Sequence, residues 1–335
     1  MKYILAFLLV CLISGCGEDT INNNGSSGAG DFDIYINRFT SSPLRFSSYV
    51  IKADGSGFSV FNDTLGVFSR PGGSKILMMT IDSFFSYRVY SAYKDGSGLT
   101  KIPLGSYRPV YFDISPTGDK ILFTTDDGNY LCIINSDGTG LVQLSDGIRG
   151  TENIPKFSPN GNLIAFYEAP ASLQTTLNMI SLSGSYKKKL KDSIYYSTVW
   201  NLDWSADGTK IVFPNNMNNS GEDRICTIDT SGNNFTVLTE GINPACSPSG
   251  NKISYFVNVN QGIFDLFMMN SDGTSISNIS SSPVVYEGSQ AWSGDGLRLL
   301  YSGQPGTGAP YYSIYNVQTG NSAFLRDSVY GAYWK

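Results

Sequence analysis

Short apolar runs, each bounded by small polar turns, repeat along almost the whole chain. The stretch Ile114–Leu144, ISPTGDKILFTTDDGNYLCIINSDGTGLVQL, shows the unit. A Pro/Gly turn leads into the run KILFTT. A polar loop, the run YLCII, an Asp-Gly turn and LVQL follow. Runs this short, rich in branched and aromatic residues and punctuated by Gly, Pro, Asp and Ser, predict strands joined by tight turns.

Two anchors recur. The first is a serine, a turn and a β run: FSRPGGSKILMM at Ser69, ISPTGDKILF at Ser115, FSPNGNLIAF at Ser158, WSADGTKIVF at Ser205, CSPSGNKISYF at Ser247 and WSGDGLRLLY at Ser293. The serines are 46, 43, 47, 42 and 46 residues apart. Pro in the second place and Gly in the fourth suit a type I turn, with glycine taking positive φ before the next strand. The second anchor is a hairpin glycine, at Gly55, Gly96, Gly138, Gly184, Gly232, Gly273 and Gly320. Asp-Gly and Ser-Gly between apolar runs are strong hairpin signals.

The anchors alternate, so each repeat reads as strand A, serine turn, strand B, variable loop, strand C, glycine hairpin, strand D. Four strands per roughly 45 residues predict a β-propeller blade. A lone blade cannot bury its faces, so blades stack around an axis. Six serine turns against seven hairpins imply that the folded part, 31–335, begins at a strand B, in Asp31–Phe39. Trp334 in the terminal YGAYWK falls where Trp204 and Trp292 fall before their serines. The expected fold is therefore all-β, a seven-bladed propeller of four-stranded antiparallel blades. Its first blade joins Asp33–Arg38, Phe46–Lys52 and Phe58–Phe61 to the C-terminal strand Val329–Trp334.

The WSxDG and SPxG turns before KIxF, the DG hairpins, and Pro155 and Pro244 three residues before their serines resemble the WD40-like (PD40) repeats of the TolB propeller family. The resemblance runs from Asp31 to the end and implies the repeat type. It departs from TolB in lacking a preceding α/β domain and in having seven blades where TolB has six, so no Tol-system role is carried over. The hydrolase domain of propeller-bearing prolyl oligopeptidases is also absent.

The first residues carry an address. Lys2, the apolar run Ile4–Leu12 and the small residues before Cys16 read as a secretory signal over 1–15. ISGC resembles the lipobox of bacterial lipoproteins, which implies acylation of Cys16. Glu18 and Asp19 resemble the surface-export signal of some Bacteroidetes lipoproteins. Residues 16–30 then form a tether rich in Gly, Ser and Asn, too polar to fold, with a reach of roughly 20 Å. The expected location is the bacterial envelope, at the periplasmic side of the outer membrane or the cell surface. Cys132, Cys226 and Cys246 read as small buried hydrophobes.

The chain has no histidine and a net charge of −5. An acidic surface argues against nucleic acid. Missing imidazole excludes Ser-His-Asp and Cys-His machinery, and excludes comparison with propeller lyases of pectin fragments, which use histidines. No P-loop, G-x-S-x-G or cysteine cluster is present. No cofactor, metal or catalytic activity is expected. The Asp-Gly hairpins carry too few acids for calcium. The paired carboxylates Asp126-Asp127 and Glu222-Asp223 keep a glycosidase-like reading open beside that of ordinary solvated loops.

Two groups are candidates for binding. Asp113, Lys156 and Asp203 stand two residues before successive serines, either as ligand contacts at the channel mouth or as inter-blade ion pairs. The second group lies on the B–C and D–A connections, which share the face opposite the uniform turns: Phe84, Phe85 and Tyr87; Tyr107 and Arg108; Arg149; Tyr195 and Tyr196; 214–223; Tyr286; and 303–312. Variable loops over a rigid scaffold carry function, and Tyr and Arg anchor interfaces. The expectation is a lipid-anchored scaffold that binds a protein or peptide. The alternatives are a carbohydrate-binding or carboxylate-based carbohydrate-active propeller, and a purely structural ring in an envelope assembly.

Overall fold

The last strand of the chain pairs with the first. Gly331–Trp334 runs antiparallel to Ile34–Ser41, from Ile34↔Trp334 to Asn37↔Gly331. A computed structural model describes residues 34–41, 44–69, 72–81, 87–125, 130–145, 154–168, 175–195, 201–216, 221–260, 262–280, 290–303, 310–327 and 331–334. These form seven four-stranded antiparallel sheets, a seven-bladed β-propeller. In blade one the strand order is Gly331–Trp334, Ile34–Ser41, Leu44–Ile51 and Ser59–Asn62. Apart from shifted ends and from Asp33, Val329 and Tyr330, which lie outside the described residues, this is the blade the repeat pattern predicts. The first strands of neighbouring blades touch one another from blade three to four and from blade five through seven to one, so strand A lines the axis.

Apolar burial follows the ring. The buried side chains form seven clusters, each bridging two neighbouring blades. Tyr35 and Val50 of blade one meet Val67 and Ile76 of blade two. Ile36 and Ile51, on the other face of blade one, meet Leu300 and Ile314 of blade seven. A strand sends alternate side chains to opposite faces, so each blade feeds two clusters. This is why the central strands read as continuous apolar runs such as KILFTT.

The repeat serine ties each A–B turn. Ser115 Oγ accepts the N–H of Lys120 at 3.0 Å and donates to the Asp119 carboxylate at 2.8 Å. Ser158, Ser205, Ser247 and Ser293 accept the N–H five residues on in the same way. The turns also seat against one another. A Cβ on Gly161 would meet Pro116 Cδ at 3.4 Å, and one on Gly118 would lie 2.2 Å from the carbonyl oxygen of Gly72. The turn glycines therefore do two things. They take positive φ, and they let the neighbouring blade's turn approach.

Candidate functional site

Antiparallel order within every blade puts the serine turns and glycine hairpins at one end and the B–C and D–A connections at the other. Ile34 opens a strand B, so the chain enters the ring at the turn end. The two ends differ in build: the turn end is a set of interlocked tight turns, and the loop end carries the variable connections.

Asp113 and Asp203 lie on the inner strands and reach the next blade. Asp113 Oδ2 accepts the N–H of Phe157 at 2.8 Å, and Asp203 Oδ2 accepts that of Cys246 at 2.8 Å. At the alternate interfaces the tie runs the other way. The Trp204 indole donates to the Lys156 carbonyl at 3.2 Å, and that of Trp292 to the Ala245 carbonyl at 3.1 Å. The column two residues before the serine thus forms backbone-directed ties between blades. Asp113 is 5% exposed, which leaves little carboxylate surface for a ligand.

On the loop end, Tyr107 is half-buried, its ring edge-on to Phe123 and Tyr130, and its hydroxyl donates to Gln143 Oε1 at 3.2 Å. Arg108 beside it is exposed. Tyr195 is half-buried, and its N–H donates to Asn215 Oδ1 at 3.1 Å. Phe84, Phe85, Arg149, Tyr196, Tyr286 and Asp126-Asp127 lie outside the described residues. Three segments read as loops are partly strand. Tyr87 opens Tyr87–Tyr93, and Pro214 sits inside Lys210–Asn216. The inner ladder of that blade ends at Asp203↔Val212, so Pro214 lies beyond it, where a missing N–H costs no inner-strand bond. Asp223 likewise opens Asp223–Asp229, and Gly303, Tyr311 and Tyr312 belong to strands. Glu222 pairs with Arg224 at 2.5 Å.

A feature without a sequence signal is an open cleft of about 520 Å³ on the turn end between blades five and six, lined in part by Asp207, Lys210, Cys246 and Lys252. Its thiol is a poor nucleophile, because burial and then the Asp203 carboxylate push Cys246 well above the ordinary value. Lys252 Nζ is engaged with Asn270 Oδ1 at 2.8 Å. Among the described residues no three His, Cys, Asp or Glu side chains come together as a metal site.

No protein-family model matches the chain, and no curated protein matches it. Solved structures do. TolB from Acinetobacter baumannii is similar at 13% identity and a TM-score of 0.59, over 87% of this chain and 79% of that one. Oligogalacturonate lyase from Vibrio parahaemolyticus is similar at 9% identity and 0.62, over 89% and 87%. Puromycin hydrolase is similar at 15% identity and 0.65, over 90% of this chain, which spans only 53% of that protein. At these identities the likeness carries the fold alone.

These neighbours correct the expectation that the chain is not an enzyme. The fold recurs in a hydrolase and in a lyase, the latter from a comparison set aside for want of histidine. A chain without imidazole has lost only the chemistry that needs imidazole. Carboxylates, tyrosines, lysines and arginines remain, and the propeller accommodates enzymes.

Proposed function

We propose that the chain is exported, acylated at Cys16 and held at the bacterial envelope as a scaffold, with its loop end binding a protein or peptide partner. The observation that carries this reading is the contrast between the ends. On the turn end the residues that repeat are engaged by their own turns and by neighbouring blades. On the loop end Arg108 is exposed and Tyr107 and Tyr195 are only partly covered. The likeness to TolB in fold supports an envelope setting. Entry of the chain at Ile34 on the turn end supports an orientation in which an anchored tether leaves the loops pointing away from the membrane.

Crosslinking of the tagged full chain in its host tests the reading. A specific partner should be captured, and capture should weaken on changing Arg108, Tyr195 and Tyr196 to Ala. Unchanged capture would remove the loop end from the proposal. Labelling with a palmitate analogue, lost in Cys16→Ala, tests the anchor separately.

The likeness in fold to an oligogalacturonate lyase favours a second reading, a carbohydrate-binding or carboxylate-based carbohydrate-active propeller. A glycan array with a reducing-sugar assay separates the two. Glycan binding or sugar release supports the second reading, and silence in both removes it.

A further inference from the structure

Arg38 and Arg326 approach the same aromatic ring at the junction of blades seven and one, where the ring closes. Arg38 lies on strand Ile34–Ser41 of blade one, and Arg326 on the outermost strand of blade seven, Asn321–Asp327. Tyr49 and Phe58 of blade one stack beside them, centroids 4.8 Å apart and planes within 9°. The Arg326 guanidinium covers Phe58 at 3.9 Å from the ring centroid. That of Arg38 stands 5.4 Å from the Tyr49 centroid and 5.6 Å from that of Phe58. Both cations are within cation–π reach of one ring.

Among the described residues neither guanidinium makes a hydrogen bond or an ion pair, and the Nε of each is buried without a partner. The aromatic rings compensate the charge from the side and leave the planar fork of donors unused. The terminal amino groups are absent from the buried unsatisfied atoms, so they reach solvent. Two like charges are therefore fixed around a rigid aromatic pair, with no anion on either among the described residues. A carboxylate is the group that such forks accept in bidentate fashion.

We propose that this junction is a carboxylate-binding site for an acidic side chain of a partner protein. Phe58 gives no platform for a sugar ring, because Tyr49 takes one of its faces and Arg326 the other. The neighbouring strand Asn321–Asp327 is an outer edge, with main-chain groups free to pair an extended peptide. It also carries Phe324, 65% exposed, as an apolar contact beside the charges. The site is on the side wall of the ring, needs none of the loop-end residues, and stands whether or not the loop end binds.

Anisotropy of a fluorescein-labelled glutamate-rich peptide on the purified full chain tests it. Binding should weaken about tenfold in Arg326→Gln and in Arg38→Gln. Arg326→Lys keeps the charge but loses the fork, and should fall between wild type and Gln. It also serves if the Gln variant fails to fold, as judged by circular dichroism. Arg108→Ala and Tyr195→Ala should leave peptide affinity unchanged, which separates this site from the loop end. Absence of peptide binding, equal affinity in the arginine variants, or tighter binding of oligogalacturonate than of the peptide would each overturn the proposal.

Discussion

The Asp203 carboxylate accepts the backbone N–H of Cys246 at 2.8 Å, although the residues lie 43 positions apart. It joins the inner strand of blade five to that of blade six, as Asp113 joins blade three to blade four. Asp203→Ala leaves that N–H without its acceptor and should cost about 1–3 kcal/mol. Asp203→Asn keeps an oxygen in place and should cost less. Urea unfolding at neutral pH measures both, and an alanine variant with the wild-type midpoint would show that the tie is idle.

Gly118 and Gly221 separate backbone strain from close approach. Both have positive φ, +78° and +83°. Gly221→Ala meets nothing within 4 Å and should cost about 1–2 kcal/mol from conformation alone. Gly118→Ala drives a Cβ to 2.2 Å from the Gly72 oxygen, which is backbone and cannot swing aside. It should lose about 1–3 kcal/mol more. Equal losses in the two variants would mean that the turns of blades two and three do not need their contact.

Acid should weaken the ring through its turns. Asp54, Asp119, Asp137, Asp207, Asp229, Asp272 and Asp295 are held below the usual carboxylate range, chiefly by hydroxyls of their own turns, such as Thr117 for Asp119. A folded pKa below the unfolded one means that the unfolded chain binds protons first as the pH falls. This stability is therefore fully present above the usual carboxylate range and is lost as the pH drops through it to the lower folded values. Each share is small, because these groups are exposed and screened. The urea midpoint should stay level through neutral pH down to about 5 and then decline. A midpoint that rises on acidification would contradict the assignment.

Cys132 and Cys226 should be silent in the native protein, and Cys246, half-buried beside the cleft, should react slowly. Burial pushes the Cys226 thiol up to about 12 and Cys246 well above its ordinary value, and Cys132 is fully covered. A thiol reagent should find three more fast-reacting groups in urea than in buffer. Fast labelling of the native chain at Cys246 would show that the cleft between blades five and six admits solvent to the sulfur.

Removing the closing strand should be far more damaging than its length suggests. A chain ending at Asp327 loses the partner of Ile34–Asn37 and opens the ring between blades seven and one. It should melt without a cooperative transition or aggregate through the bared edge. A cooperative melt at the wild-type temperature would refute the role of closure.

The fold was legible because its signals are local. A serine turn or a glycine hairpin is written in a few adjacent residues, and Trp334 betrayed the closing strand by standing where Trp204 and Trp292 stand. The ties of Asp113 and Asp203 were half legible. Their column was visible, but whether a carboxylate meets a lysine or a backbone N–H depends on how neighbouring blades are staggered. Pro214 misled, since a proline inside a strand is read as a break until the end of the inner ladder is known. Arg38 and Arg326 carried no signal. They belong to no motif and become neighbours only when the two ends of the chain are joined.

The pairing of Gly331–Trp334 with Ile34–Ser41 also sets an order of events. A chain is made from its N-terminus. Blades two to seven each receive all four strands from one continuous stretch and can assemble as they emerge. Blade one, begun first, waits with its inner position vacant until the final residues arrive. Until then one blade edge and the apolar faces at the junction with blade seven stay uncovered. The interval between the first strand and the last is therefore when the chain is most open to proteolysis, to aggregation and to any chaperone that grips an unpaired strand.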